Sequence, residues 1–535
     1  MTILSYCACA ACARGVSSVE SSGTQALSGQ KSTVIATSIS GDYRIDVLLD
    51  NADSRWNNAS PVGSPVEVTY SFAKSPPTYG SAADLKGWSE FTAEQIIVQR
   101  EIFARISEVA NITFREVADS PTSYGQIRLH NNDQGSTSGG YAYFPDMPTE
   151  QAGDIFINNA TPSNLSGITK GSYAYSLAVH ELLHAIGIKH PGNYNSGEPA
   201  QPVPGNFLIE TEDNYSNSIM SYIALGDQRL QRDFLGPFDQ LALQYLYGAK
   251  VVRPGNDSYV LTETSGTYLS MINDSGGRDT LDASRSSVGA TINLNQGASS
   301  SVGRTAAGDA AFNNVQIAFG SVIEEAFGTP FSDRMTGNTS NNVFRSNGGS
   351  DTIDGAGGID RVIVDVARAS AGRNGDLLTI GSETLTLTSV ERVTFSDALV
   401  AFDTGATGNA GSVFRLYQAA FNRTPDLGGV SFWTNAFDNG TPLTNIAVGF
   451  TSSQEFKTVY GVAPSNTQIV NTYYQNVLAR PGEAAGVEFW VGRLNAGATI
   501  DNILLNFSNS PENIERTAPS LTNGLLLDSS AFAFV

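Results

Sequence analysis

Three of the chain's four histidines fall in one short run, His180-Glu181-Leu182-Leu183-His184-Ala185-Ile186-Gly187-Ile188-Lys189-His190. Two histidines four residues apart on a helix project from one face, close enough to share a metal ion. Gly187 can take a positive φ, end the helix and turn the chain so that His190 reaches a third ligand position. Three imidazoles leave a zinc ion an open position for water, the arrangement of a catalytic rather than a structural zinc. Glu181, beside the first ligand, can accept a proton from that water and deliver it to a leaving amine. The implied chemistry is peptide-bond hydrolysis without a covalent intermediate. A bare H-E-x-x-H is a weak signal, because such pairs also serve on surfaces and in cores. Here every fixed position of H-E-x-x-H-x-x-G-x-x-H is filled, and only His130 lies elsewhere.

A helical pattern over Tyr173 to Ile188 carries the first two ligands, and another runs over Glu94 to Val109. Strand-like runs at Val66 to Phe72 and Gln126 to His130 mix with them, so residues 41–250 read as an α/β or α+β catalytic domain. With 535 residues the chain exceeds one ordinary core, and several domains are expected. A formal charge of −21 argues against nucleic acid and anionic membranes and favours divalent cations. No apolar run of about 18 residues or more supports a membrane span. Cys7, Cys9 and Cys12 are the only cysteines, so the folded body has no disulfide. Residues 1–40 read as a disordered leader or propeptide without the basic start of a secretion signal. The cysteine trio there is compatible with metal binding, with a thiol that silences the zinc, or with a leader that is removed.

After Gly248 the texture turns to Gly, Asn, Asp and Ser with spaced apolar residues, and residues 251–403 form a second, helix-poor domain. Four nine-residue units begin at Gly328, Gly337, Ser346 and Gly355, within 328–363. Position six is Asp333, Asn342, Asp351 and Asp360, and position eight is Met335, Phe344, Ile353 and Val362. This is the period of a calcium-binding parallel β-roll: glycines make tight turns, the acidic residue offers oxygen, and the apolar residue fills the interior. Glycine stands at position four only in the last two units, so Gly349, Asp351, Gly358 and Asp360 are the candidate calcium residues of the array. An ordinary glycine-rich linker is the bland alternative, and four aligned registers disfavour it.

Beyond a linker at 404–412, residues 413–520 hold two copies of one unit at a constant offset of 57 residues. Tyr417 pairs with Tyr474, Arg423 with Arg480, Phe432-Trp433 with Phe489-Trp490, Phe450 with Phe507 and Ser453 with Ser510. Apolar spacing over Val413 to Phe421 and Asn445 to Phe450 suits short amphipathic helices, with Trp433 and Trp490 in the core. Residues 521–535 form a tail that reads equally as an export signal or a frayed terminus.

Downstream of the zinc motif stands Ser218-Ile219-Met220-Ser221-Tyr222. Together the two motifs resemble the metzincin clan, and within it the serralysins. The resemblance implies that Met220 forms an apolar floor under the histidines. It also implies that Tyr222 is a further zinc ligand that swings away to stabilise the tetrahedral intermediate. Leu48-Leu49 with Trp56, Gly140 to Ala142, Gly153 to Asn158 and Phe238 to Gly248 are similar to serralysin catalytic-domain segments. From this follows a strand at Ala142 that pairs with an extended substrate. Arg253, Gly255, Asp257, Asp274, Gly276, Gly277, Asp279 and Glu324 match serralysin calcium positions, whereas Val322 stands where a threonine is usual.

The resemblance covers roughly residues 40 to 365 and implies an architecture of three parts. These are a zincin catalytic domain, a parallel β-roll or β-sandwich calcium domain, and a helical C-terminal repeat domain. One catalytic zinc and several structural calcium ions are the expected cofactors. The C-terminal copies resemble a bacterial domain family of unassigned function found in secreted repeats-in-toxin and surface-layer-associated proteins. Expected partners are protein or peptide substrates, a surface-layer or envelope component for residues 413–520, and a type I secretion apparatus. The expected location is extracellular, with or without attachment to the cell surface. The competing reading is a calcium-dependent attachment protein whose zincin domain has no catalytic use.

Overall fold

In a computed structural model of the protein, residues 39–136, 138–192, 207–224 and 230–532 are described. Cys7, Cys9 and Cys12 and almost all of the expected leader lie outside them. The chain divides into two compact units between Ile323 and Glu324, inside the stretch 251–403 that the sequence suggests as one domain.

The first unit opens on a five-stranded sheet of β1 (Val66–Phe72), β2 (Ile112–Glu116), β3 (Ile127–Asn132), β4 (Gly140–Ala142) and β5 (Ile155–Asn158), in the order β2-β1-β3-β5-β4. All neighbours are parallel except β4, which runs antiparallel to β5 along the sheet edge, with Ala142 opposite Ile155. Helix α1 (Ala93–Val109) begins at a capping box in which Thr92 and Gln95 bond each other's backbone, and it buries Val98, Ile102, Phe103 and Ile106 on one stripe. Helix α2 (Tyr173–Ala185) carries the zinc motif and is buried nearly all round. It ends three residues before the Ile188 limit that its apolar pattern suggests, because Gly187 takes φ +100°. Helix α3 (Pro237–Tyr247) starts with proline in its first turn and closes the hydrophobic core through Leu243, Leu246 and Tyr247. The unit continues into short strands, among them the parallel pair Ser258–Val260 and Thr280–Asp282.

The second unit is coiled. Strands Glu325–Phe327, Val343–Arg345, Arg361–Ile363 and Arg392–Thr394 stack in parallel on one side, and Arg334–Thr336, Thr352–Asp354 and Glu383–Thr388 on the other. Neighbouring nonapeptide strands pair at a spacing of eighteen residues, so two nine-residue units make one coil. Met335, Phe344, Ile353 and Val362 are all fully buried inside it.

After Leu399–Ala401 the chain leaves the sheet for eight helices. The first copy comprises α4 (Asn409–Phe421), α5 (Leu427–Asp438), α6 (Leu443–Ser452) and α7 (Gln454–Tyr460). The second comprises α8 (Asn466–Leu478), α9 (Ala484–Asn495), α10 (Ile500–Ser508) and α11 (Pro511–Leu521). The linker expected over 404–412 ends at Gly408, the N-cap of α4. Trp433 packs on Phe450 and Trp490 on Phe507 at equivalent places. Arg423 pairs with Glu455 and Arg480 with Glu512, both at 2.6 Å and again 57 residues apart. Ser453 and Ser510 cap α7 and α11. Leu525–Leu527 then return as a strand antiparallel to Leu399–Ala401, with Ala401 opposite Leu525. The described part of the expected tail is therefore folded, not frayed, and Phe532 is buried. A buried Arg392 ties sheet to helices through Asp403 and through Asp438, the latter at 2.7 Å.

Candidate metal centre

Helix α2 ends in a Schellman motif, with Ile188 N donating to Leu183 O at 2.9 Å and Gly187 N to His184 O at 3.0 Å. A Cβ on Gly187 would lie 1.9 Å from the Ser54 carbonyl oxygen, so both backbone angle and space demand glycine. The remaining carbonyls at the helix end are bonded by side chains: Trp56 Nε1 donates to Ala185 O and the Tyr247 hydroxyl to Ile186 O. Lys189 N donates to Leu48 O, which fixes the chain just before His190.

This turn brings the three histidines together. The Nε2 atoms of His180 and His184 each stand 3.1 Å from His190 Nε2. His180 Nδ1 lies 3.0 Å from the Ile219 carbonyl and His184 Nδ1 2.7 Å from that of Ile188. A carbonyl can only accept, so each Nδ1 carries the proton and each Nε2 points a lone pair at the common centre. Burial holds the imidazoles below their ordinary pKa, His180 down to about 4, and keeps them neutral; His184 and His190 are lowered further by their ring neighbours. Converging lone pairs repel unless a cation lies between them. Tetrahedral zinc at about 2.0–2.1 Å from each nitrogen would space them by roughly 3.3 Å, close to the separations found. The residues fit a zinc ion.

Glu181 is fully buried beside this centre. A Cβ on Gly140 would stand 3.2 Å from Glu181 Oε1, so the glycine of β4 makes room for the carboxylate under the sheet edge. The Tyr222 ring lies 4.6 Å from that of His190 and 6.0 Å from that of His180. Met220 is wholly buried. Its turn hangs on Asp239 at the start of α3, which accepts hydrogen bonds from Ile219 N at 2.8 Å, Gly236 N at 2.7 Å and the Ser218 hydroxyl. Burial pushes the Asp239 carboxyl up to about 6 against these bonds. In the sequence Asp239 falls within the Phe238 to Gly248 segment and has no assigned role; the Gly-Pro-Phe-Asp helix start is the available signal. Ala142 lies on β4, at the free side of the sheet nearest α2.

Among the expected calcium positions, Asp257, Asp274 and Asp279 bring carboxylate oxygens within 4.8 Å of one another. Arg253 has φ +46°, and Gly276 and Gly277 have φ +136°. The Gly255 carbonyl packs so close that a Cβ on Gly277 would lie 2.1 Å from it. Glu324 opens the second unit, where its carbonyl accepts from Val343 N. In the coil, Gly349 and Gly358 have positive φ, at +86° and +117°. Asp351 Oδ1 accepts from Asp333 N at 2.9 Å and Asp360 Oδ1 from Asn342 N at 2.7 Å. The other oxygen of each, Asp351 Oδ2 and Asp360 Oδ2, is buried without a hydrogen bond among the described residues, and burial raises the two carboxyls to about 7 and about 8. Asp333 and Asn342 differ. The Thr329 backbone and hydroxyl bond the Asp333 carboxylate, and the Asn342 amide donates to the Glu324 carbonyl and to Asn338 Oδ1, both at 3.2 Å.

Residues 244–424 match the family described as Peptidase M10 serralysin C terminal. Residues 402–460 and 447–517 match, in two copies, a domain of unknown function (DUF4214). The chain is similar to Serralysin C of Dickeya chrysanthemi, 30% identical over 312 residues that cover 54% of this chain and 62% of that protein. It is also similar to Serralysin of Proteus mirabilis, 30% identical over 328 residues covering 54% and 63%. Metallopeptidase AprA of Pseudomonas marginalis is 29% identical over 307 residues, covering 52% and 62%. The chain thus spans a little under two thirds of the length of these relatives. These likenesses bear out the serralysin resemblance that the motifs carry.

Proposed function

We propose that the chain is a secreted zinc-dependent endopeptidase with Glu181 as its general base, and that calcium completes its fold outside the cell. The observation that carries the reading is the convergence of three histidine Nε2 atoms beside a buried carboxylate under the edge of a sheet. Zinc held by His180, His184 and His190 would polarise the scissile carbonyl and the attacking water. The Ile219 and Ile188 carbonyls keep the ligand rings in one tautomer and one orientation. β4 offers its backbone to an extended peptide, which would lie along Ala142 as an added strand. Glu181 takes the proton from the attacking water and returns it to the departing amine. Tyr222, beside His190, moves to donate its hydroxyl proton to the developing oxyanion.

Calcium belongs to the same reading. Asp257, Asp274 and Asp279 form one candidate site, and the buried, unbonded oxygens of Asp351 and Asp360 call for a cation in the coil. In a compartment poor in calcium the acidic coil stays loose, and extracellular calcium drives it to fold. Residues 413–520 would direct the enzyme to a surface-layer or envelope component, and a type I secretion apparatus would export it.

The test is cleavage of casein and a quenched peptide by the calcium-loaded protein beside Glu181→Gln. The variant should keep its zinc, measured by metal analysis, and lose about 10²–10⁴-fold in rate. Equal rates with equal zinc would leave the attachment reading in its place.

A further inference from the structure

The second unit contains a cleft of about 510 Å³ that none of the candidate metal ligands lines. It lies between the hairpin of Ala371–Asn374 and Leu377–Ile380 and the connection Leu521–Gly524, which leads from α11 into the strand Leu525–Leu527. That is the size range of sites for small molecules, about 300–1,000 Å³. Its charge runs against the rest of the protein. In a chain of net charge −21, the lining holds Arg368 and Arg373 and a single carboxylate, Asp376.

Arg373 is built into this cleft. Its guanidinium lies 3.9 Å above the centre of the Phe402 ring, and its Nε donates to the Gly375 carbonyl at 2.9 Å. The stacking and the Nε bond fix the plane of the group in the cleft wall. Its Nη1 is buried and makes no hydrogen bond among the described residues. Burial pulls the guanidinium below its ordinary pKa, with Asp376 and Glu391 only partly offsetting it. A buried, charged donor without an acceptor carries a large desolvation cost, and a ligand oxygen would remove it. Arg368 holds the opposite wall by donating to the Asn523 carbonyl at 2.9 Å. Phe395, buried, and Phe402 give the wall its aromatic part.

We propose that this cleft binds a sugar-sized molecule bearing a carboxylate or phosphate group, with the oxyanion held by Arg373. A planar guanidinium matches such groups through two parallel N–H bonds, which a lysine cannot copy. Carboxylate and phosphate share this chemistry, and the sugar body matches the mixed polar and aromatic lining. One wall of the site, Leu521–Gly524, is supplied where the chain returns from its helices to the sheet.

The experiment is titration calorimetry on the full chain, loaded with zinc and calcium, using glucuronate, glucose 6-phosphate and neutral glucose. The expected result is saturable binding of one or both acids with Kd of about 1 mM or tighter, and none of glucose. Which acid binds more tightly identifies the oxyanion. Arg373→Gln and Arg373→Lys should each weaken it by at least about tenfold. Ala371→Trp, which fills the cleft and keeps the charge, should abolish binding even if removal of Arg373 harms folding. Binding of glucose as tight as that of the acids, no binding of either acid, or unchanged binding by Ala371→Trp would each overturn the proposal.

Discussion

Single residues set the metal centre, and some carry unusually hard constraints. Gly187 has both a left-handed backbone and the Ser54 carbonyl where a Cβ would sit. Gly187→Ala should cost more than about 3 kcal/mol and release zinc, read by denaturation and metal analysis of the soluble protein. Asp239 should impose a pH dependence. Its folded pKa of about 6 exceeds the ordinary 3.8, so the folded state holds the proton more tightly. Its contribution is fully present below about pH 4 and is lost as pH rises through about 6, a swing of up to about 3 kcal/mol. In Asp239→Asn the fall of the denaturation midpoint between those pH values should flatten; an unchanged slope would show that Asp239 is not the titrating group. The histidine trio and Gly187 were legible in the sequence because their spacing is itself the ligand geometry. Asp239 was not, because its partners Ser218 and Ile219 lie about twenty residues away and meet it only through the packing of α3.

At the level of elements, the repeat register gave the coil correctly: position eight fills the interior, and units pair two apart. What composition could not distinguish is which half-turns bond their polar groups internally and which leave a carboxylate oxygen without a partner among the described residues. At Asn342 an amide donor points at the Glu324 carbonyl and Asn338 Oδ1. Asn342→Asp replaces that donor with a third acceptor. It should lower stability in calcium-free buffer by about 1–3 kcal/mol and regain most of it on adding calcium, read by thermal melting. Asp360→Asn should show the reverse pattern, a smaller gain from calcium. If both variants respond to calcium like the parent, these half-turns do not bind it. The helices of the duplicated region were also legible, since apolar spacing and the shared offset marked both copies. The ion pairs of Arg423 and Arg480 show that the duplication extends to their partners, Glu455 and Glu512, which the aligned residues did not include.

For the whole molecule, the main departure from the sequence reading is the topology of the C-terminus. An isolated Leu525-Leu526-Leu527 gives no sign that its partner is Leu399–Ala401, because register depends on a strand far back in the chain. Removing residues 405–522 and joining the ends by a short glycine linker should leave the coil folded and soluble. Truncation at Asp403 should expose the edge of Leu399–Ala401 and promote aggregation, measured by light scattering and calcium-dependent melting. Equal behaviour of the two would mean that the returning strand contributes nothing.

That returning strand also imposes a schedule. Leu525 follows its partner Ala401 by more than a hundred residues, so this pairing is one of long sequence separation, slow to form beside the local contacts of the helices between. Once those helices have formed, closing the sheet joins two ends already held close. The last strand thus acts as a latch that shuts after its cargo is packed, and the oxyanion cleft beside it comes into being only at that moment.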